Sequence, residues 1–453
     1  MIGWWRRSRP GAQRDCVVAM EAVRSGPLVG TNRPAESEST SHGSVRRSRV
    51  LILVENLPSP FDRRVWQEAT TLAANGYHVT IICPTGPGCE TYEETISGIR
   101  ILRYDLPIEA SGAVGYLREY SAALWHTLRL AWREHRRAGF DIVHACNPPD
   151  LLFLIAVFFK WYAGARFIFD HHDINPELYE AKFHRRDFFY RLLLWFEHWT
   201  FRNADISIAT NESYRQIALS RGGMPGDRVF VVRSGPSLER MRLQPPRPEL
   251  RCGRRYLVGY VGVMGTQEGI DLLLRAVHHI VYNRGRSDVH FGLVGGGSSL
   301  VAMQALAREL GVAEYVTFTG RAPDEQMLAM LNTADVCVNP DVANEMNDKS
   351  TMNKIMEYMA LGKPIVQFDL TEGRFSAQLA SLYARQNDPL DLGDKLLELL
   401  DDPQLREQMG AIGRRRVVDD LQWSHEAPKL LAAYHALLAL PVRSARRPSP
   451  AEA

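Results

Sequence analysis

Residues 49–83 read RVLILVENLPSPFDRRVWQEATTLAANGYHVTIIC and contain two β-rich runs, at 49–55 and at 77–83. A helical stretch through 69–74, closed by Gly76, lies between the two runs. Parallel neighbouring strands need a crossover of about a dozen residues or more, usually a helix, and this segment has that length and pattern. The segment therefore predicts the first βαβ unit of a parallel α/β sheet.

The same alternation continues through the rest of the chain, with apolar helical sequence between short β-rich runs. Further runs lie at 141–145, 165–170, 205–210, 228–233, 256–262, 288–294, 315–319, 334–339 and 364–368. Residues 236–254, PSLERMRLQPPRPELRCGR, are rich in Pro and Arg and lack both hydrophobic periods, as is typical of a linker. We predict two Rossmann-like, doubly wound α/β domains, at 46–235 and 255–422, facing across a cleft.

The two ends of the chain lack a folding pattern. Residues 1–45 are rich in Arg, Ser and Gly and contain no apolar core of the length a signal peptide needs, so we expect a disordered basic leader. Two alternatives are a true start at Met20 and a weak basic-aromatic contact with an anionic membrane. Residues 441–453 are expected to be a disordered tail.

Composition excludes several classes of protein. The net charge is +2, from 54 basic and 52 acidic residues, which gives no reason to expect nucleic-acid binding. The six cysteines show neither CxxC pairs nor zinc-like spacing, so neither disulfides nor a metal site is predicted and a reducing cytoplasm fits. The apolar run 151–159 is shorter than the ~20 residues that span a bilayer, which favours a buried helix.

Ligands of parallel α/β sheets bind beyond the carboxyl ends of the strands, and polar residues follow one strand of the first domain. The run ARFIFD is followed by His171, His172 and Asp173. A histidine there can hydrogen-bond hydroxyls or exchange protons near neutral pH, and a neighbouring carboxylate can fix its tautomer. The alternative is a solvated loop.

Two loops of the second domain carry candidate ligand-binding groups. The run 347–364, NDKSTMNKIMEYMALGKP, predicts a helix that starts near Ser350 and aligns Asn353, Lys354 and Glu357 on one face, or else a surface ion pair. The next loop, 369–374, contains Glu372 and Arg374; an arginine there is a candidate phosphate ligand. We expect the two loops to meet at one edge of the sheet.

A third loop, Gly295-Gly296-Gly297-Ser298-Ser299, follows the strand that ends at Val294. Such glycines allow backbone amides to approach a ligand, or simply form a tight turn. The loop lacks the GxGxxG spacing and the acidic partner of a dinucleotide site, so NAD is not expected.

From about residue 48 to 438 the sequence resembles the retaining glycosyltransferases of GT-B fold called family 4. The motifs are NGYHVTIICP (75–84), FDHHDINPELY (169–179) and NKIMEYMALGKPIV (353–366). The resemblance implies that His172 lies beside the donor sugar, that Glu357 binds the ribose and that Asn353 and Lys354 lie near the diphosphate. It also implies a last helix, within 423–440, that crosses back to the acceptor-side first domain, and no metal or other cofactor.

The sequence departs from the family pattern at the donor phosphates. Eight residues before Glu357, where the family has a glutamate, this chain has Lys349, and the loop YVGVMGTQEGID has Val263 and Glu268 where the family places Arg and Lys. The leaving diphosphate still needs positioned cations. We therefore expect Lys354 and Arg374, with Lys349 as a further phosphate contact, to replace the missing pair, while Gly265 lets the backbone approach the donor.

The expected function is transfer of a sugar, from UDP by family analogy, to a glycan or lipid-linked acceptor in surface polysaccharide or glycolipid synthesis. The segment 185–202, RRDFFYRLLLWFEHWTFR, mixes Arg with aromatic residues and predicts either peripheral contact with the inner face of the cytoplasmic membrane or an internal helix. The alternatives to transfer are a nucleotide-sugar epimerase of the same fold and a catalytically degenerate member that binds nucleotide or a partner protein.

Overall fold

The computed structural model describes residues 48–106 and 112–441, with the side chains of 112–118 excluded. The predicted leader lies outside the described residues, as does the predicted tail apart from Pro441. The chain divides into two compact units, Met1–Phe167 with Val442–Ala453, and Ile168–Pro441. This division falls inside a strand, at a different place from the predicted linker 236–254, and the predicted domain boundaries stay predictions.

The first unit contains a mainly parallel sheet with three described helices. The strand order is β3-β4-β2-β1-β5, and β1 pairs in parallel with both β2 and β5. The helix at 63–74 begins where Asp62 accepts a hydrogen bond from the Val65 amide at 3.2 Å. The elements are β1 (Arg49–Leu53), α1 (Arg63–Ala74), β2 (His78–Pro84), β3 (Glu93–Ile96), β4 (Ile99–Tyr104), α2 (Gly112–Arg137), β5 (Ile142–Cys146) and α3 (Phe153–Ala163).

The hairpin β3–β4 was not predicted from the sequence. Its turn is made by Ser97 and Gly98, both with positive φ, and Ile96 pairs with Ile99 across it. The edge strand Glu93–Ile96 is largely exposed, so it carries no continuous apolar run that a sequence pattern would show. The hairpin adds an antiparallel edge to an otherwise parallel sheet.

The second unit begins with three parallel strands in the order β6-β7-β8. These strands are β6 (Arg166–His171), β7 (Ile206–Ala209) and β8 (Val229–Val231), and the helices among them are α4 (Asn175–Phe183), α5 (Phe188–Asn203) and α6 (Glu212–Ser220). The last helix of the unit, at 423–439, packs against β7 and β8. The start of this helix lies close to Gly235, because a Cβ there would lie 2.7 Å from the backbone nitrogen of Trp423.

A six-stranded parallel sheet forms the rest of the second unit, in the order β11-β10-β9-β12-β13-β14. This is the 3-2-1-4-5-6 order of doubly wound nucleotide-binding folds. The elements are β9 (Tyr256–Val261), α7 (Ile270–His278), β10 (Val289–Val294), α8 (Leu300–Glu309), β11 (Val316–Gly320), α9 (Asp324–Thr333), β12 (Val336–Asn339), α10 (Glu345–Lys349), α11 (Asn353–Ala360), β13 (Ile365–Phe368), α12 (Thr371–Ala377), β14 (Ser381–Ala384), α13 (Pro389–Asp401), α14 (Pro403–Arg416) and α15 (Trp423–Ala439).

The central strands of this sheet are buried on both faces. Tyr260, Phe291 and Leu293 are fully buried, as expected for parallel strands covered by helices. The short strand β14 was not predicted. The predicted helix start near Ser350 is wrong, because the Ser350 amide bonds back to Asn347 and closes the short helix α10, so that α11 begins at Asn353.

The apolar run 151–159 lies largely within α3, where Phe153, Ile155, Ala156 and Phe159 are buried, so the predicted buried helix is confirmed. Across 48–106 and 112–441, no helix combines the length and apolar character that crossing a bilayer requires.

Candidate functional site

Four loops leave the carboxyl edge of the six-stranded sheet, and the predicted donor-binding residues lie on or beside them. The loops follow β9, β10, β12 and β13. Helix α11 runs into β13, and Lys354 lies in its first turn. This edge is where parallel doubly wound sheets bind their ligands.

Lys354 is the buried cation at this edge. Its side chain is 10% exposed, and its Nζ lies 2.5 Å from Oε2 of Glu268 and 2.8 Å from Oδ1 of Asp341. The ammonium also lies 5.0 Å from the ring centroid of Tyr260, whose hydroxyl donates to Glu268 at 3.1 Å. The loops after β9 and β12 thus supply two carboxylates to one ammonium.

The burial of this cluster perturbs its protonation equilibria. Burial raises the pKa of Asp341; Lys354 opposes that rise, and Glu268 adds to it. Burial alone would lower the pKa of Lys354, but Asp341 and Glu268 raise it above its ordinary value, so the ammonium stays charged. The cluster is therefore a buried ion pair at the carboxyl edge of the sheet rather than a solvated surface pair.

The glycine loops bring backbone segments together at the same edge. A Cβ on Gly295, whose φ is +143°, would lie 1.8 Å from the carbonyl oxygen of Gly262, and one on Gly297 would lie 2.5 Å from that of Met264. A Cβ on Gly296 meets no atom closer than 3.5 Å. Gly295 and Gly297 are thus required for loop-to-loop packing, and Gly265 precedes the short 3₁₀ turn of the β9 loop.

Glu357 lies one turn further along α11 and is held by an arginine from the predicted linker. Nη1 of Arg240 donates to Oε1 of Glu357 at 2.9 Å, and the same guanidinium makes a bidentate pair with Asp324. Asn353 is exposed at the first position of α11. Arg240 was not among the predicted site residues.

Glu372 is the centre of a second polar cluster. Its Oε1 accepts from the hydroxyl of Ser213 at 2.7 Å, and its Oε2 lies 3.3 Å from Nη1 of Arg233. That same Nη1 donates to the hydroxyl of Thr351 at 3.3 Å. Glu372 is 3% exposed, so its carboxylate joins α12 to residues that follow β7 and β8.

Lys349 lies near the helices that follow β6 and β7. Its Nζ pairs with Glu345 at 2.7 Å and lies 4.0 Å from Oε1 of Glu177, and its carbonyl oxygen accepts from Nδ2 of Asn211 at 2.8 Å. Arg221 in turn donates to Glu177 at 2.7 Å. These contacts tie α10 to α4 and to the residue that caps α6.

The histidine loop is firmly anchored. Nε2 of His172 hydrogen-bonds Oδ2 of Asp170, and the His172 side chain is 13% exposed. The adjacent His171 is fully buried; burial lowers its pKa to about 3, with Arg221 adding to the effect. Asp173 is half-buried. His172 is therefore the histidine of this loop that a ligand can reach, and its close carboxylate is Asp170 rather than the predicted Asp173.

Arg374 lies at the surface, where its side chain is 54% exposed and its guanidinium is paired. It makes a bidentate pair with Asp369 at 2.7 and 2.6 Å, and its guanidinium lies 4.0 Å from the ring centroid of Tyr383. An arginine held in this way must exchange a carboxylate partner to bind phosphate.

The structure thus brings Lys354 and Gly265 to one sheet edge and gives Glu357, Glu372 and Lys349 defined partners. The partners that sequence reasoning missed are charged or polar groups, and a complementary charge near a predicted ligand was the signal that could have found them. They are Ser213, Arg221, Arg233, Arg240 and Asp341.

Comparison with known proteins identifies the family. Residues 62–235 match the model described as "Glycosyl transferase 4-like domain", and residues 255–402 match "Glycosyl transferases group 1". The chain is 30% identical over 251 residues to a D-inositol 3-phosphate glycosyltransferase of Nocardia farcinica, covering 52% of this chain and 53% of that protein. A GDP-mannose-dependent phosphatidylinositol monomannoside mannosyltransferase of Mycolicibacterium smegmatis is 28% identical over 222 residues, 44% of this chain and 57% of that protein.

These alignments span little more than half the length of the two curated relatives. Both are named as transferases, so they give no support to the epimerase alternative. Two solved structures share the fold. Sucrose-phosphate synthase from Thermosynechococcus elongatus has a TM-score of 0.73 at 19% identity, covering 87% of this chain and all of that one. HepE from Anabaena in complex with UDP has a TM-score of 0.66 at 14% identity, covering 86% of this chain and all of that one.

Three observations lead to one assignment. The chain has two Rossmann-like α/β domains, two glycosyltransferase models together cover most of it, and its curated relatives are named glycosyltransferases. The chain is therefore built of two glycosyltransferase domains, and its fold is the GT-B fold.

Proposed function

We propose that this protein is a retaining glycosyltransferase that moves a sugar from a nucleotide-diphosphate sugar, a UDP-sugar, to a glycan or lipid-linked acceptor in surface polysaccharide or glycolipid synthesis. The observation that carries the proposal is the buried ammonium of Lys354 in the first turn of α11, at the carboxyl edge of the six-stranded sheet. A cation and the positive end of a helix at this edge suit a diphosphate.

HepE, which shares the fold, was solved in complex with UDP, and this supports a nucleotide donor. A leaving diphosphate needs its developing negative charge stabilised, and a fixed cation does so without reorganisation. We propose that Lys354 supplies this charge without a metal and that Lys349 and Arg374 add to it. Arg374 would first exchange Asp369 for phosphate.

In the proposed transfer, the bond between the anomeric carbon and the diphosphate oxygen breaks, and its electron pair leaves with the diphosphate. The acceptor hydroxyl oxygen forms the new bond on the same face of the sugar, and its proton passes to the leaving oxygen. His172, held by Asp170, would orient the donor sugar beside this reaction. Glu357 would accept hydrogen bonds from the ribose.

A lipid-linked acceptor is supported by the outer face of α5. Phe188, Trp195 and Trp199 are 70%, 52% and 36% exposed and recur on one helix face, with Arg191 and Arg202 exposed at the same spacing. Aromatic rings beside arginines suit the interface of an anionic membrane. We call this face, formed by these five residues, the α5-out face. We propose that it rests on the cytoplasmic leaflet, where lipid-linked sugars are available.

One observation favours the alternative of a nucleotide- or partner-binding protein without catalysis. Glu268 and Asp341 already neutralise Lys354, and Glu268 occupies the position at which the family places a lysine. A diphosphate entering this edge meets one ammonium that is already paired with two carboxylates, instead of the two cations that the family's usual clamp offers.

The deciding experiment incubates purified protein with uridine, guanosine and thymidine diphosphate sugars and follows diphosphate release with and without a membrane-lipid extract. The control variants are His172→Ala and Glu357→Ala. Release that requires the extract and is lost in both variants supports the transferase and names its donor. Binding without release in any combination contradicts catalysis and supports the alternative.

A further inference from the structure

Arg240 connects two carboxylates that lie far apart in the sequence. It belongs to the segment 236–254 that the sequence marks as a linker, yet its side chain is 22% exposed. Its Nε and Nη2 lie 2.6 and 2.9 Å from the two carboxylate oxygens of Asp324, and its Nη1 lies 2.9 Å from Oε1 of Glu357. One guanidinium therefore bridges the start of α9 and the middle of α11.

The surroundings of Arg240 make this bridge rigid. The sulfur atoms of Met241 and Met327 lie 3.4 and 3.8 Å from its terminal nitrogens, and both methionines are buried. The bidentate pair with Asp324 fixes the plane of the guanidinium, since a planar fork matches a carboxylate in one geometry. The remaining arm then points at Glu357 in a fixed direction.

We propose that Arg240 is a positioning residue that holds the Glu357 carboxylate in the orientation in which it accepts hydrogen bonds from the ribose hydroxyls of a nucleoside diphosphate. The inference rests on the proposed function, because it assigns the nucleotide to this edge of the sheet. Arg240 itself need not touch the nucleotide.

The physical reason is preorganisation. A glutamate side chain has three rotatable bonds, and fixing them on binding costs free energy. A preformed ion pair orders the side chain before the nucleotide binds, so binding does not include this cost. A carboxylate can accept about four hydrogen bonds, so it can bind a guanidinium and ribose hydroxyls together. Loss of Arg240 is therefore expected to weaken recognition of the hydroxyls rather than of the base or the phosphates.

The test compares ribose with deoxyribose. Calorimetry measures the affinities of UDP, GDP and their 2′-deoxy forms for the wild type, Arg240→Gln and Glu357→Gln. The wild type should prefer the ribonucleotide by about tenfold or more, as expected for a hydrogen bond to a charged group. Arg240→Gln should reduce that preference to about threefold or less, with little change in affinity for the deoxynucleotide. The double variant Arg240→Gln/Glu357→Gln should lose no more of the ribose preference than Glu357→Gln alone.

The matched control is Arg247→Gln, which removes a neighbouring arginine of the same segment that pairs with Glu325 at 3.3 Å. It should keep the full ribose preference. Thermal melts of each variant exclude loss of folded protein as the cause. A ribose preference unchanged in Arg240→Gln overturns this inference alone, whereas failure of the wild type to bind either ribonucleotide overturns the proposed function and the inference with it.

Discussion

The Nζ atom of Lys354 lies 2.5 Å from Oε2 of Glu268. The cation at the carboxyl edge of the six-stranded sheet thus comes from α11, and the loop after β9 contributes a carboxylate that binds it. Asp341 completes the cluster from the loop after β12. The cluster thus holds one ammonium between two carboxylates supplied by two different loops.

Replacement of Lys354 by Met is expected to destabilise the fold and to abolish donor affinity. Removing one partner of a buried ion pair costs about 3–5 kcal/mol, because Glu268 and Asp341 are left without their cation. Urea unfolding measures the first effect and UDP-sugar calorimetry the second. Adding Glu268→Gln to Lys354→Met should recover part of the stability but none of the affinity.

Lys363→Met serves as the control for Lys354, since Lys363 donates to the carbonyl oxygens of Asn332 and Ala334 instead of to carboxylates. It should leave UDP-sugar affinity within about twofold of the wild type. If Lys354→Met retains both donor affinity and turnover, Lys354 is not the phosphate cation of this enzyme.

Replacement of Gly295 by Ala is expected to unfold the donor edge, whereas Gly296→Ala is expected to be nearly neutral. The added Cβ at Gly295 would lie 1.8 Å from a backbone oxygen of Gly262, which has no flexible end to move, while at Gly296 the nearest atom is 3.5 Å away. We expect Gly295→Ala to lose more than about 2 kcal/mol of the free energy of unfolding and Gly296→Ala to lose less than about 1 kcal/mol. Thermal or urea unfolding of the two variants decides; equal losses would contradict the close loop packing.

The contributions of His290 and His171 to the stability of the fold are expected to fall as the pH drops from 7 to 5. Burial lowers the pKa of His290 to about 4, with Arg254 contributing, and that of His171 to about 3. Below an ordinary pKa of about 6.5 the unfolded chain takes up protons that the folded chain does not, so each histidine removes about 2 kcal/mol by pH 5. Most of each loss should occur between about pH 6.5 and the folded pKa.

The measurement is the free energy of unfolding in urea at pH 5, 6 and 7. His290→Gln, which keeps a side chain able to bond Thr317, should lose less stability over this range than the wild type. The exposed His198 provides the matched control His198→Gln. Its free energy of unfolding should change with pH by the same slope as that of the wild type. Identical slopes in all three proteins would show that His290 does not set the pH dependence.

Substitution of both Trp195 and Trp199 by Ala is expected to weaken binding to anionic lipid vesicles by more than about tenfold, because each ring adds apolar area to the α5-out face. Co-sedimentation with vesicles containing phosphatidylglycerol measures the change. Trp161→Ala, which removes an exposed ring on a different helix, is the control and should bind as the wild type does. Unchanged sedimentation of the double variant would remove the membrane role of α5.

Strand positions could be predicted from the sequence because buried parallel strands are continuous apolar runs. RVLILVE, YLVGYVG and PIVQF each coincide with a strand to within about two residues. The edge strands β3 and β14 were missed because each is only 4 residues long, and the buried strand β4 was missed because Arg100 and Arg103 interrupt its apolar run. The start of α11 was misplaced because Ser350 and Thr351 are good capping residues in isolation, yet Ser350 ends the preceding helix instead.

The candidate site, like the strands, could be predicted only in part from the sequence. The sequence by itself determined the two-domain α/β fold, the family and the set of polar residues at the strand ends, since hydrophobic period and local motifs are properties of short segments. Only the tertiary structure decided which charges meet: Glu268 and Asp341 at Lys354, Arg240 at Glu357, and Arg233 at Glu372. These partners are separated by up to 139 positions, and pairing at such separation depends on how strands and loops pack, which no local pattern encodes.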